Sequence, residues 1–405
     1  MESIASDHPI VDRMRRPGPK KILSCDGGGI RGLISLGILS RIEADLRQSL
    51  QQPDLVLGDY FDFISGTSTG GIIATCLSCG MSIGQVYNFY VANGSNMFQR
   101  AKWYLQLHEK YDAEPLADLL RKIFNCQLNG PDYIYNAADP VVQLGDPHLK
   151  GLLMLMMRNH TTDSPWPVCN NPLAKYNHLN NPDCNLKLPL WRLVRASTAA
   201  PTFFPPEIVT FAEGTPEEYR FIFVDGGVTT YNNPAYMAFQ MATADPYHIN
   251  WKTGVDQLLI VSVGTGQAPD RRDDLQVGQL TLLDHAKRIP SALMNSASAG
   301  WDMVCRMIGE CRYGEPIDEE FGSMMLPPGG SATASNWTGS KQFAYVRYDP
   351  CTDQEHLNKL GLSHISAESV HRMDDISMIK DLYRIGEAYA EGSFQIQHFS
   401  GFIRE

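Results

Sequence analysis

Ser68 stands in Gly66-Thr67-Ser68-Thr69-Gly70, a Gly-x-Ser-x-Gly pentapeptide. An apolar run, Tyr60 to Ile64, precedes it, and Gly71-Ile72-Ile73-Ala74-Thr75-Cys76-Leu77 follows. Strand, tight turn and helix is the setting that lifts a serine hydroxyl to a helix N-terminus as a nucleophile. Gly66 and Gly70 let the chain turn sharply and let the helix lie close to the strand. The unpaired N–H groups of that terminus can receive an oxyanion. In a chain with 34 glycines among 405 residues, the pattern arises by chance roughly 0.2 times. The bland alternative for Ser68 is a helix N-cap. Context has to decide.

Two more glycine-rich turns follow apolar runs. The first, Asp26-Gly27-Gly28-Gly29-Ile30-Arg31-Gly32, contains Gly27-x-Gly29-x-x-Gly32, the dinucleotide fingerprint. A nicotinamide or flavin oxidoreductase is therefore one reading. Against it, the next strand leads into Ser65-Gly66, with no acidic residue at its end to hold a ribose hydroxyl. Consecutive N–H groups at a helix N-terminus serve an oxyanion equally well. Neither this turn nor the Ser68 turn carries the Gly-Lys-Ser/Thr of a phosphate-gripping loop. The third turn is Asp225-Gly226-Gly227. A nucleophilic Ser68 needs a base, and a histidine after the acid is one arrangement. His248, His285, His356, His364, His371 and His398 lie downstream, but none sits in a glycine-marked turn after a strand. Asp225 does. A buried carboxylate bonded to the hydroxyl has a raised proton affinity and can act as the base alone; otherwise Asp225 is a turn residue capping its own loop.

The elements that must position these turns alternate along the chain. Lys21–Cys25 reads as a strand and Leu33–Leu50 as a helix, with Leu36, Leu39, Ile42 and Leu46 at helical spacing. Helical stretches are predicted at 82–91, 114–124, 190–200, 233–242, 279–308 and 369–389. Strands are predicted at 152–158, 221–224, 258–263 and 343–348. The segment 170–186 reads as a surface excursion and 326–339 as a low-complexity loop. This alternation implies a largely parallel sheet covered on both faces. Its carboxyl edge would then gather the three turns.

Composition narrows the function further. The chain has 43% hydrophobic and 20% charged residues, as expected of a globular protein. No apolar run reaches membrane-span length, and the N-terminal residues lack a signal-peptide core. Nine scattered cysteines without a C-x-x-C pair point to a reducing compartment and away from a zinc site. A net charge of −11 argues against a nucleic-acid polymer as partner. A basic cluster, Arg13, Arg15, Arg16, Lys20 and Lys21, reads as a solvated lead-in to the first strand.

Taken together, Asp26–Gly32, Gly66–Gly70 and Asp225–Gly227 resemble, in order, the three motifs of the patatin-like phospholipase family. Arg195-Ala196-Ser197-Thr198-Ala199-Ala200-Pro201-Thr202-Phe203-Phe204-Pro205-Pro206 and Asn232-Asn233-Pro234-Ala235 are similar to the segments flanking its Asp turn, and 348–389 to its C-terminal end. The resemblance implies a three-layer α/β/α sandwich with a mainly parallel sheet. It implies a lipid acyl hydrolase with a Ser68–Asp225 dyad, an acyl-enzyme intermediate, and an oxyanion hole from Gly27, Gly28 and Gly29 helped by Arg31. It implies no metal and no cofactor. The expected substrate is a phospholipid membrane surface, met transiently by a cytoplasmic protein. Some family members are antiphage effectors activated by a cyclic nucleotide, and this chain is compatible with that role. A non-catalytic nucleotide-binding protein on the same scaffold is the other alternative to the oxidoreductase. The expected organisation is a lead-in over 1–20, one catalytic domain over 21–392 and a tail over 393–405. Regions 129–189 and 279–339 are candidate lids, with Trp166, Trp301 or Met324-Met325 facing lipid.

Overall fold

The computed structural model describes residues 8–101, 109–130, 132–267, 281–318, 320–325 and 340–403, the side chains of 282–288 and 290 excepted. Nine strands form one sheet: β1 (Lys20–Cys25), β2 (Phe63–Thr67), β3 (Leu152–Asn159), β4 (Ser164–Cys169), β5 (Glu207–Phe211), β6 (Tyr219–Asp225), β7 (Leu258–Val263), β8 (Glu310–Tyr313) and β9 (Ala344–Tyr348). The spatial order is β5-β6-β3-β2-β1-β7-β9-β8, with β4 also on β3. Pairing is parallel from β3 through β2, β1, β7 and β9 to β8. It is antiparallel where β4, β6 and β5 join.

The central strands are apolar at consecutive positions because both their faces are covered. Alternate residues divide into two cores. Leu23, Ile64, Leu259 and Val261 pack beneath α1 (Gly32–Leu50), α2 (Thr69–Ser78), α3 (Ile83–Met97), α4 (Glu114–Asn129), α5 (Leu190–Ser197) and a C-terminal helix. Ile22, Phe63, Leu258 and Ile260 pack beneath α6 (Ala235–Thr243) and the end of α7 (Leu282–Ile308). The C-terminal helix is α8 (Ile379–Ser393), lying against α1. Helix, sheet and helix make the expected three layers.

Several expectations need correction. The 129–189 region is not a lid over its whole length, since β3 is a buried strand inside the sheet. Trp166, on β4, stacks on Phe223 and meets Phe211 edge-on, so it faces other rings rather than lipid. Within 279–339, Trp301 is stacked between Tyr231 and Tyr236; Met325 is exposed. Residues 279–280 and 326–339, like 1–7 and 404–405, lie outside the described residues. The described part of the lead-in is only partly solvated: in its basic cluster Arg15 and Arg16 are exposed, while the rest docks on the domain. A helix over Pro9–Arg15 buries Ile10, Val11 and Met14, and the Arg13 guanidinium donates to the carbonyls of Gly58, Asp59 and Phe61. The predicted helix at 369–389 is broken, with α8 starting only at Ile379. No helix among the described residues is long and apolar enough to cross a membrane.

Candidate active site

β2 ends at Thr67, Ser68 follows, and α2 begins at Thr69. Ser68 has φ 54° and ψ −123°, a conformation that a non-glycine residue adopts only when its surroundings enforce it. Close packing does so here. A Cβ on Gly66 would lie 2.1 Å from the Gly70 carbonyl oxygen, and one on Gly70 would lie 2.2 Å from that of Cys25. The Ser197 hydroxyl accepts from the Ser68 N–H at 3.0 Å and donates to the Met156 carbonyl at 2.6 Å, tying the elbow to β3. Ser68 is 8% exposed and opens onto a cavity.

Asp225 reaches Ser68 by a route the parallel-sheet expectation misses. β6 is antiparallel, so its turn does not lie at the carboxyl end of a parallel strand. β3 has three partners. β4 pairs along Met154–Asn159 and so occupies one side. β2 pairs up to Met156 and β6 from Met157, so the two share the other side end to end. Thr67 and Asp225 thus abut on consecutive residues of β3. The Ser68 hydroxyl donates to Asp225 Oδ2 at 2.6 Å, the length of a charge-assisted bond. Asp225 Oδ1 accepts from the Gly227 N–H at 2.7 Å. The carboxyl group is 4% exposed. Burial pushes its pKa up from 3.8 to about 6, against the hydrogen bonds from Ser68 and Gly227 and the nearby Arg195 charge, which favour the ionised form. A proton acceptor near neutrality is what hydroxyl activation requires.

The glycine turn after β1 supplies fewer oxyanion donors than expected. The Gly27 N–H donates to the Asn232 carbonyl at 3.2 Å. Arg31 lies on a second cavity, with its Nε 3.5 Å from the Gly28 carbonyl. Gly28 and Gly29 line the Ser68 cavity, and no acceptor among the described residues takes their N–H groups. Thr69 lines it too, and as the first residue of α2 its N–H has no intrahelical acceptor. Thr69 was missed in the sequence, although the residue after an elbow nucleophile is a regular oxyanion donor. Ser197 was missed as a positioning residue, and no local pattern marks it.

The Ser68 cavity is about 90 Å³ and strongly apolar, walled by residues such as Ile72, Leu116, Phe203, Phe204 and Met294. No histidine lines it among the described residues. Cys351, Asp353 and His356 bring potential metal ligands within 4.8 Å of one another, outside both cavities. Asp353 is engaged there as a helix N-cap, accepting from the His356 N–H.

Residues 23–239, which hold all three turns, match the family model described as patatin-like phospholipase. Patatin-17 of Solanum cardiophyllum is 29% identical over 258 residues, and patatin-T5 of Solanum tuberosum is 29% identical over 257. Each alignment covers 60% of this chain and 60% of the relative, so the chain spans less than two thirds of the relatives it matches. The crystal structure of VipD from Legionella pneumophila is a remoter likeness, with 14% identity, TM-score 0.31, and 91% and 67% of the two chains covered. The family model matches more than half of this chain, which establishes that the chain belongs to the patatin-like phospholipase family.

Proposed function

We propose that the chain is a lipid acyl hydrolase working through a Ser68–Asp225 dyad. The observation that carries this reading is the 2.6 Å bond from the Ser68 hydroxyl to a buried carboxylate at the mouth of an apolar cavity. Asp225 takes the proton as Ser68 Oγ attacks the ester carbonyl. The Gly28, Gly29 and Thr69 N–H groups hold the oxyanion. The alcohol leaves with the proton from Asp225, and an acyl-enzyme remains. Asp225 then deprotonates a water that attacks the acyl carbonyl. The carboxyl group passes that proton to the departing Ser68 Oγ, which releases the fatty acid and restores the enzyme. The apolar walls suit a fatty-acyl chain, and membrane phospholipid, met transiently at a membrane surface from the cytoplasm, is the proposed substrate. Ser68→Ala and Asp225→Ala should each abolish fatty-acid release from phospholipid vesicles. Full activity in either variant would sink the dyad.

Activation by a cyclic nucleotide in antiviral defence rests on family resemblance alone. Fatty-acid release measured with and without cyclic di- and trinucleotides tests it. The oxidoreductase reading loses its main support at the glycine turn. A Cβ on Gly27 would lie 2.4 Å from Asn232 Oδ1, one on Gly29 2.3 Å from the Met373 carbonyl oxygen and one on Gly32 2.4 Å from Thr69 Oγ1. The glycines thus accommodate protein atoms, which accounts for the fingerprint without a pyrophosphate. Labelling of Ser68 by a fluorophosphonate would count against a purely binding role.

A further inference from the structure

On the other side of the glycine turn lies a second cavity of about 180 Å³, twice the volume of the first. Its wall is more polar than that of the first and includes Asp26, Arg31, Asn232, Asp302, Arg347 and Asp349. The three carboxylates are fully engaged. Asp26 accepts two bonds from Arg347, at 2.9 and 2.7 Å. Asp349 accepts from Arg347 and from the Gly266 N–H. Asp302 accepts from Arg306 and the Tyr345 hydroxyl. Of the donors on this wall, Asn232 Nδ2, Thr265 Oγ1 and the Arg347 Nη groups are bonded, and the Arg31 guanidinium is left almost free. Arg31 is 7% exposed, and among the described residues its side chain makes no ion pair and one hydrogen bond, the long one to the Gly28 carbonyl. Arg347 Nε, on a side chain 2% exposed, finds no acceptor.

A buried guanidinium without a bonded anion costs free energy that a ligand can relieve. The wall also carries an unpartnered acceptor, Asn232 Oδ1, but the charged group left without an anion is Arg31, whose fork matches a tetrahedral oxyanion. We propose that this cavity is a binding site for a phosphoryl group, with Arg31 as its principal ligand. The site adjoins the oxyanion turn through shared residues. Gly27 accepts from Thr265 Oγ1 at 3.1 Å and from Asn232 Nδ2 at 3.3 Å, and both side chains line the cavity. Arg31 holds the Gly28 carbonyl. An occupant that draws on Arg31, Thr265 or Asn232 therefore shifts the peptide groups that face Ser68. The phosphoryl group has two sources, a free solute or the headgroup of a lipid, and both present the same oxygens.

The test is calorimetric titration of the full chain with inorganic phosphate and, separately, glycerophosphocholine, at constant ionic strength. Saturable one-to-one binding of at least one probe is expected. Arg31→Gln should weaken it about tenfold or more, the loss of one charge-assisted bond pair. Arg31→Lys should restore part of it. Asn295 is exposed at the cavity wall, so Asn295→Asp adds a repelling carboxylate without disturbing the core and should also weaken binding. Should Arg31→Gln fail to fold, Asn295→Asp decides alone. Hydrolysis of p-nitrophenyl butyrate, which carries no phosphate, separates the sources. A change in kcat with inorganic phosphate identifies a solute that tunes the turn. Glycerophosphocholine binding that raises KM only for phospholipid identifies the headgroup. Absence of saturable binding at millimolar concentration of either probe, or unchanged affinity in the folded variants, would overturn the site. The binding readout does not depend on hydrolysis, so its failure is distinct from failure of the dyad.

Discussion

Asp225→Asn makes the proposed base pay its own way: the variant should be inactive and yet more stable. The side chain keeps its shape, and its Oδ1 still accepts from the Gly227 N–H. What disappears is a carboxylate held 4% exposed, whose pKa is raised by burial from 3.8 to about 6. At about 1.4 kcal/mol per unit, this corresponds to about 3 kcal/mol of destabilisation by the ionised group. The sign follows from linkage. A raised folded pKa means that the native state holds the proton more tightly than the unfolded chain. The penalty is absent below pH 3.8, grows between 3.8 and about 6, and is complete above 6. Urea unfolding at pH 8 should show the Asn variant more stable by up to about 3 kcal/mol, less the loss on exchanging the charged Ser68 bond for a neutral one. Near pH 4 the difference should nearly vanish. Fatty-acid release should fall by about 10²–10⁴-fold, the range for removing a general base. An Asn variant that is less stable than the parent at pH 8, or that retains a tenth of its activity, would refute the reasoning.

The same carboxyl group predicts an acidic limb. The kcat/KM profile should bend near pH 6 and be about tenfold lower at pH 5, when about a tenth of Asp225 is ionised; a flat profile from pH 5 to 8 argues for another base. Gly70→Ala drives a Cβ to 2.2 Å from the Cys25 carbonyl oxygen and 2.6 Å from that of Asp26. It should cost about 3 kcal/mol or more in chemical unfolding, or prevent folding. Arg347→Met strands the Asp26 carboxylate, whose pKa burial already pushes upward against the Arg347 charge. Removing one partner of a buried pair costs about 3–5 kcal/mol. The loss should be greatest in alkali and smaller in acid, where Asp26 is protonated; unfolding at pH 8 and pH 5 measures both.

Much of this molecule is legible along the chain. Alternating strands and helices announce the layered sheet because apolar periodicity reflects which faces are buried. Gly66 and Gly70 announce the elbow because only a residue without Cβ fits where α2 crosses β1. The antiparallel strands β4, β5 and β6 are harder to read. Their direction depends on which neighbour they find, and Ser164–Cys169, with two prolines, carries no clear strand pattern. The separation of Arg31 from the nucleophile is likewise invisible, since neighbours on a turn project into different cavities.

The amino-acid order by itself determined the chemistry available: a serine forced into a strained turn, an aspartate before two glycines, and a run of backbone donors. Each is a local consequence of side-chain size and backbone freedom. Only the tertiary structure decided which of them meet. Ser68 and Asp225 are 157 residues apart in sequence, and they touch because β2 and β6 end on adjacent residues of β3. Register is set by side-chain packing across the whole sheet. Packing across the sheet also turns the Gly27 N–H towards Asn232 and leaves Gly28 and Gly29 facing the serine.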